Sequence, residues 1–153
     1  MDINLVEFRA LEVQLVSTDL RNPSVFVSSG EDFPNEQYKF NYDIQYPAHS
    51  SREFAVIYQC GIRAGNLKFL QVFYLARFET REDITEDFKQ SQFPGMNAPA
   101  IGFPYLRAYM SQVLLLSGYK PTLIPTINFQ EMYYQRKKAA EAAALPEEKF
   151  SGK

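Results

Sequence analysis

The sequence is short of the residues from which most catalytic and metal sites are built. It has one cysteine, Cys60, and one histidine, His49, so it can form neither an intramolecular disulfide nor a zinc site with several histidine or cysteine ligands. A single thiol also favours a reducing compartment. Cys60 falls on the apolar side of a predicted strand, and we interpret it as an inert buried thiol. A Cys–His nucleophile would need exposure and an electropositive neighbour.

Other absences exclude further classes of function. Neither glycine-rich phosphate-binding pattern, Gly-x-x-x-x-Gly-Lys or Gly-x-Gly-x-x-Gly, occurs. The 16 basic and 18 acidic residues are mixed along the chain, without the basic stripe of a nucleic-acid binder. The apolar run 113–116 is too short to span a bilayer, and the N-terminus lacks the basic start of a signal peptide. We therefore expect a cytoplasmic protein that is not an enzyme, needs no cofactor or metal, and neither binds nucleic acid nor inserts into a membrane.

What the sequence has in excess is aromatic side chains. It carries 13 Phe and 10 Tyr but no Trp. Aromatic residues bury large areas in β-rich cores, and they also form adaptable contact surfaces. Two interpretations stay open: a β-rich core with Phe and Tyr at strand positions, or a binding groove lined by part of this set.

Three segments have clear strand patterns. Residues 37–46 alternate apolar and polar side chains, residues 53–63 do so in part, and residues 67–79 are apolar on both faces. Residues 64–66, Ala-Gly-Asn, predict a hairpin turn between the last two. A strand that is apolar on both faces is normally covered on both sides. Two helices can cover only one face of a small sheet, so we expect the second face to meet another subunit.

The first 16 residues predict a strand with an irregularity. Apolar side chains occupy even positions up to Ala10, including Phe8, and odd positions from Leu11 onward, including Val13. Because side chains alternate between the two faces of a strand, this change of parity predicts a bulge near residues 7–10, or two short strands.

The last third predicts two helices. The first begins near Pro99 and ends at Gly118, which suits the residue after a helix because glycine tolerates the left-handed conformation. The second begins after Asn128, whose side chain can cap it together with Glu131. It ends before Pro146, because a proline disfavours helical conformation in the residue that precedes it.

The sequence therefore predicts an α+β fold: a four-stranded antiparallel sheet with two C-terminal helices packed on one face. We expect a single domain over residues 1–145 and a flexible tail over residues 146–153. The charged stretch 80–98 is interpreted as a solvated face or a short helix. Nothing in it specifies the closely held pair of carboxylates that a hydrolase needs.

The most specific pattern of the chain lies in residues 99–134. It includes Phe103-Pro104-Tyr105-Leu106-Arg107 and then Gly118, Pro121, Leu123 and Asn128-Phe129. The first run is similar to the Phe-Pro-Tyr-Ala-Arg of SecB, a family of bacterial export chaperones, and the later residues resemble its Gly…Pro…Leu…Asn-Phe run. Asp32-Phe33 falls where that family has Asp-Trp. The order of elements resembles the family over nearly the whole chain, whereas residue-level matching covers the last third well and the strands poorly.

The resemblance implies a holdase that binds non-native polypeptides without ATP. It also implies a homo-oligomer, a dimer of dimers, that assembles through sheets and helices. The walls of a client-binding groove would come from Val25, Phe26 and Phe33 of the loop between the first two strands, and from Phe103 and Tyr105 of the first helix. Aromatic side chains repack to fit many sequences, and several grooves that engage one chain would raise the avidity.

The resemblance also suggests which partners to consider. The family carries an acidic patch on the outer face of its sheet that docks the translocase motor SecA. Here Glu12 matches that patch, while Gln71 and Val72 stand where the fourth strand would supply a carboxylate. A general export chaperone and a dedicated chaperone, for example for the antitoxin of a toxin–antitoxin system, both stay open. The alternative class is a small-ligand-binding protein that uses the aromatic sheet face as a closed, dry pocket.

Overall fold

The structure, a computed structural model, describes residues 2–17, 38–64, 68–120 and 124–144. The strands are β1 (Ile3–Ser17), β2 (Tyr38–Gln45), β3 (Glu53–Arg63) and β4 (Lys68–Thr80), and the helices are α1 (Glu86–Gln90), α2 (Ala98–Leu116) and α3 (Phe129–Ala144). A π-helical turn, Phe93–Asn97, joins α1 to α2. All strand pairs are antiparallel, in the order β1-β4-β3-β2. The predicted α+β architecture is confirmed.

Several sequence predictions fall outside the described residues. They are the loop side chains Val25, Phe26 and Phe33, the Asp32-Phe33 match, most of the turn at 64–66, the residues Pro121 and Leu123, and the tail 146–153. The domain limit at residue 145 is among them, so it stays a prediction. The assembly of the chain into an oligomer stays a prediction as well.

The change of parity in β1 is absorbed by two bulges. The pairing of β1 with β4 shifts by one residue at Val6 and again at Leu11. Each extra residue returns the apolar side chains that follow it to the same face of the sheet. Phe8 and Val13, which have opposite parity in the sequence, therefore lie on one face. The predicted bulge is confirmed, although the strand contains two and they flank residues 7–10.

The core lies between the sheet and the helices. On the face that the helices cover, the apolar side chains of the two central strands are buried: Phe54, Val56, Tyr58, Cys60 and Ile62 in β3, and Leu70, Val72, Tyr74, Ala76 and Phe78 in β4. From α2, Leu106, Met110 and Leu114 complete this layer. On the outer face of β4, Phe69, Gln71 and Leu75 are buried too, while the predicted contact of this face with another subunit stays a prediction.

Gly102 allows α2 to lie close to the sheet. A Cβ atom at this position would lie 2.4 Å from the Tyr58 hydroxyl oxygen and 2.8 Å from the Cβ of Ala76, both well inside van der Waals contact. The Tyr58 hydroxyl donates a 2.6 Å hydrogen bond to the carbonyl oxygen of Pro99. The start of α2 is thus fixed over the two central strands by both shape and a hydrogen bond.

The helix ends agree with the predicted caps. Gly118 has a φ of +85°, and the amide of Tyr119 donates to the carbonyl oxygen of Leu114, as expected after the end of a helix. The side-chain oxygen of Asn128 accepts a 3.0 Å hydrogen bond from the amide of Glu131 at the start of α3. The charged stretch 80–98 contains the short helix α1, one of the two alternatives that its sequence left open.

The buried thiol of Cys60 predicts a loss of stability at alkaline pH. Burial raises its pKa from the ordinary value of 9.0 to about 12, and burial also raises the pKa of Tyr58. The folded state holds these protons more tightly than the unfolded state does. The contribution of Cys60 to stability is therefore complete below pH 9.0 and is lost as the pH rises toward 12, and the contribution of Tyr58 begins to be lost only above pH 10.0.

We expect the free energy of unfolding, measured by urea titration, to fall steadily above about pH 9. Cys60→Ala should lower stability at every pH because it leaves a small cavity. It should also make the alkaline fall shallower, because one ionising group is gone. An alkaline slope that is identical in the two proteins would contradict the assigned role of Cys60.

Candidate functional site

Large apolar side chains are exposed together on β1 and α2. Apart from Val6 and Leu11 at the two bulges, which are exposed as well, they are Phe8, Val13 and Leu15 of β1 and Ile101, Tyr105, Leu115 and Leu116 of α2. We call this set the β1–α2 surface. Phe8 is 48% exposed and Leu116 is 82% exposed. Contiguous exposed apolar patches are uncommon on soluble proteins, and they mark sites of interaction with other molecules.

The two elements of this surface run side by side. Gly102 lies over Ala76, and the ring centroid of Tyr109 lies 5.5 Å from that of Tyr74. Ala76 pairs with Phe8 on β1, and Tyr74 pairs with Ala10, two residues further along that strand. As α2 proceeds it therefore advances along the same direction as β1, and the exposed flank of the helix stays next to the strand.

A stacked aromatic pair joins the strand to the helix. The rings of Phe8 and Tyr105 have centroids 4.2 Å apart and planes inclined by 23°. Ile101 and Leu116 lie four residues before and eleven residues after Tyr105, which places all three on one side of a helix. The pair thus forms the centre of an elongated apolar strip with side chains from both elements.

One tyrosine packed beneath this strip, Tyr74, has a raised pKa. Burial raises the pKa of Tyr74, and the neighbouring hydroxyls of Tyr109 and Tyr105 raise it further. Tyr74 therefore stays neutral and contributes no charge beneath the surface. The strip can make dispersion contacts and hydroxyl hydrogen bonds, both of which suit apolar segments of variable sequence.

The structure separates the two predicted groove residues of the first helix. Phe103 is only 6% exposed, and its ring packs edge-on against Phe40 and Phe129 with centroids 5.5 Å away. Tyr105 is 41% exposed and lies on the other side of α2, against Phe8. Phe103 thus lies in the aromatic core, whereas Tyr105 is exposed beside β1, and the client-binding role of both side chains stays a prediction.

The contribution of β1 to this surface is not evident from its sequence. The spacing of Phe8 and Val13 is typical of the buried face of a strand. It does not indicate whether helices cover that face or leave it exposed. The structure adds that β1 is an edge strand next to β4, which α2 contacts at Phe8 without burying it. The number of apolar side chains could have indicated this surface, because β1 adds more of them to the sheet than two helices can cover.

Glu12 lies on the outer face of the sheet, away from the helices. It pairs with Phe73 of β4, is exposed, and accepts a hydrogen bond from the side chain of Gln14. Gln71, which pairs with Gln14, is buried, and its side-chain oxygen has no hydrogen-bond partner among the described residues. Glu12 is thus placed on the sheet face for which its docking role was predicted.

A second group of charges on the outer face pairs internally. The guanidinium of Arg77 contacts Glu7 at 3.1 Å, Glu79 at 3.0 Å and Glu53 at 3.3 Å. The hydrogen bond to Glu7 is the main reason that the pKa of Arg77 is raised above its ordinary value. Arg9 contacts Glu7 as well, at 2.8 Å. These carboxylates are therefore largely neutralised by basic neighbours.

Four of these charged side chains, Glu7, Arg9, Glu53 and Arg77, line a partly open depression of about 680 Å³. Its walls also include Tyr46, His49 and Leu75. This depression differs from the closed, dry cavity that the small-ligand alternative requires, because charged side chains form a large part of it. Within the described ranges, no group of three or more histidine, cysteine or acidic residues could hold a metal ion.

The comparisons with known proteins identify the family. A family model described as preprotein translocase subunit SecB matches residues 14–140, which is most of the chain. The chain belongs to the SecB family. This confirms the resemblance found in residues 99–134. The family is one of chaperones and not of enzymes, in agreement with the expectation from the sequence.

The curated relatives match over shorter stretches. A protein-export protein SecB of Nitrosospira multiformis is 40% identical over 53 residues, 35% of this chain and 33% of that protein. One of Verminephrobacter eiseniae is 39% identical over 71 residues, 46% of this chain and 45% of that protein. The chain thus spans between a third and a half of the length of these relatives.

Solved structures confirm the fold. A SecB-like chaperone of Mycobacterium tuberculosis, solved with a ChAD peptide from the HigA1 antitoxin, superposes with a TM-score of 0.55 at 16% identity, covering 82% of this chain and 87% of that one. A protein of unknown function from Streptococcus agalactiae gives a TM-score of 0.53 at 11% identity, covering 83% and 98%. In the parts of this chain that are described, no helix has the length and apolar character needed to cross a membrane.

The different placement of Phe103 and Tyr105 predicts different effects on stability. Phe103→Ala should lower the free energy of unfolding by about 3–5 kcal/mol, because it empties a buried aromatic cluster. Tyr105→Ala should cost about 1 kcal/mol, because it removes one exposed stacking contact. Urea unfolding followed by circular dichroism measures both. Equal losses in the two variants would contradict the assignment of Phe103 to the core and Tyr105 to the surface.

Proposed function

We propose that this chain is an ATP-independent chaperone, a holdase, that binds non-native polypeptides on the β1–α2 surface. The observation that carries the proposal is the contiguous apolar strip centred on the stacked rings of Phe8 and Tyr105. An exposed apolar strip of this kind favours association with another molecule, because burying apolar area is the main favourable term in association. Membership of the SecB family supports the same reading.

The chemistry of the strip suits clients of many sequences. A non-native polypeptide exposes apolar side chains, and an elongated strip of aromatic and aliphatic residues offers them contacts without fixed polar geometry. Each contact is weak by itself. We propose that the chain forms a homo-oligomer, a dimer of dimers as in the predicted assembly, so that several strips engage one client and raise the avidity. The single cysteine supports a cytoplasmic location.

Aggregation of an unfolded client tests the proposal. Tyr105→Ser and Leu116→Ser should each weaken the suppression of light scattering by an aggregating client, because each removes apolar area from the strip. The matched control is Tyr134→Ser on α3, which changes the same residue type at nearly the same exposure, 42% against 41%, away from the strip. The control should suppress scattering as the wild type does.

The native mass of each variant decides between two uses of the strip. If the strip binds clients, Tyr105→Ser should keep the native mass of the wild type in sedimentation while its client binding falls. A changed mass with unchanged suppression would mean that the strip is an interface between copies of this chain, and it would overturn the proposal. Equal suppression by the wild type, Tyr105→Ser and Tyr134→Ser would overturn it as well.

A dedicated role, for example with an antitoxin as client, is the second candidate beside general export. The observation that favours it is the pairing of outer-face charges. Glu7, Glu53 and Glu79 surround Arg77, whereas Glu12 bonds to the neutral amide of Gln14 and keeps its charge as a single carboxylate. An open acidic patch would attract a basic docking segment, whereas carboxylates that are already paired offer it little.

We therefore expect SecA to bind weakly or not at all to this chain, as measured by calorimetry at physiological ionic strength. Any binding should not depend on Glu12, so Glu12→Gln should leave it unchanged. Tight SecA binding that is lost in Glu12→Gln would contradict this prediction and establish the export role. The holdase proposal is tested separately, because the client aggregation assay contains no SecA.

A further inference from the structure

The second edge of the sheet, β2, is closed by side chains of its own chain. An edge strand presents a row of outward amide and carbonyl groups that can pair with another strand. In β2, however, the amide of Tyr42 donates a 2.9 Å hydrogen bond to the side-chain oxygen of Asn41. The amide of Ile44 does the same with the side-chain oxygen of Asp43, also at 2.9 Å. Two successive outward donors are therefore already satisfied.

The positions of these donors identify them as edge groups. In an antiparallel pair, alternate residues exchange hydrogen bonds with the partner strand, and the residues between them point their backbone groups away from it. Tyr42 and Ile44 are two residues apart and both bond to side chains, so they belong to the outward set. The capping side chains belong to the residue before each of them, Asn41 and Asp43, and these side chains lie on the outer face of the sheet.

Helix α3 adds a clasp across the same edge. The guanidinium of Arg136 lies 3.9 Å from the centroid of the Tyr42 ring, on the helix side of the sheet. It also donates a hydrogen bond to the side-chain oxygen of Asn41. The guanidinium therefore bridges from the helix side of β2 to the side chain that caps the edge. Phe129, two turns earlier on α3, fixes the helix in place by packing against Tyr42 and Phe40.

We propose that Asn41, Asp43 and Arg136 form an edge lock that keeps β2 from pairing with the β2 strand of a second copy of this chain. The strand needs such a lock because its sequence, Tyr38–Gln45, alternates aromatic or branched residues with polar ones and has high strand propensity. An incoming strand would have to displace both capping oxygens and the guanidinium. It would also bring a second Asp43 carboxylate to an edge that already carries one, and like charges oppose pairing.

The test compares two double variants, one that lacks the two capping oxygens of β2 and one that keeps them. Asn41→Ala with Asp43→Ala removes both capping oxygens. Asn41→Asp with Asp43→Asn exchanges the two residues, so composition and net charge are unchanged and both capping oxygens are kept. In sedimentation over a range of concentrations, the alanine variant should form species heavier than those of the wild type, and the exchange variant should not. An alanine variant with the wild-type mass at every concentration would overturn the proposal.

Amide hydrogen exchange locates the new contact. In the wild-type protein the amides of Tyr42 and Ile44 should exchange about tenfold more slowly than free edge amides, because each makes a hydrogen bond. In the alanine variant they should exchange quickly at low concentration and slowly once the heavier species form. If association leaves these two amides unprotected, it uses another surface and the proposal fails.

Two further measurements keep the proposal testable if the alanine variant folds poorly. Arg136→Lys keeps the positive charge but loses the planar group that spans ring and amide, so it should open the edge partly without altering β2 itself. The wild-type exchange rates need no variant at all. Unprotected amides at Tyr42 and Ile44 in the wild type would overturn the edge lock directly.

Discussion

The width of the sheet relative to its helices is the constraint on which the rest of the structure depends. Four strands spaced about 4.8 Å apart need more cover than one helix of about 10 Å diameter supplies. Gly102 and the hydrogen bond from Tyr58 to Pro99 fix α2 over the central strands, while α3 packs near β2 through Phe129. The part of the helix-side face of β1 that α2 does not cover is therefore exposed to solvent. The apolar strip results from this shortfall in cover rather than from a separate binding module.

The two sides of α2 use the same kinds of residue for different purposes. Toward β2, Phe103 enters a cluster with Phe40 and Phe129 in which edge-on ring contacts hold α2, α3 and the sheet together. Toward β1, Tyr105 stacks on the ring of Phe8, and both stay half exposed. Aromatic content therefore does not by itself distinguish core from surface. The number of elements that converge on each ring makes the difference.

Much of the fold could be predicted from the sequence because local signals determine it. The capping groups of Asn128 and Gly118 define helix ends through short-range hydrogen bonds, and the parity change of β1 forces a bulge wherever the strand pairs. The candidate site could not be predicted in the same way. It depends on β1 lying at an edge beside β4, which is a long-range pairing. Phe103 and Tyr105 are two residues apart, and their sequence does not say which of them faces the uncovered strand.

A protein that keeps an apolar strip in water must limit the other ways in which its copies can associate. Pairing between edge strands carries the greatest risk of aggregation, because it needs no complementary shape and can propagate from chain to chain. On the outer face, the carboxylates around Arg77 make the sheet polar near β1 and β3, and at β2 the amides of Tyr42 and Ile44 are bonded internally. Under the two proposals, exposure at one edge and closure at the other are complementary, because a strip that binds clients works best when the opposite edge does not recruit further copies.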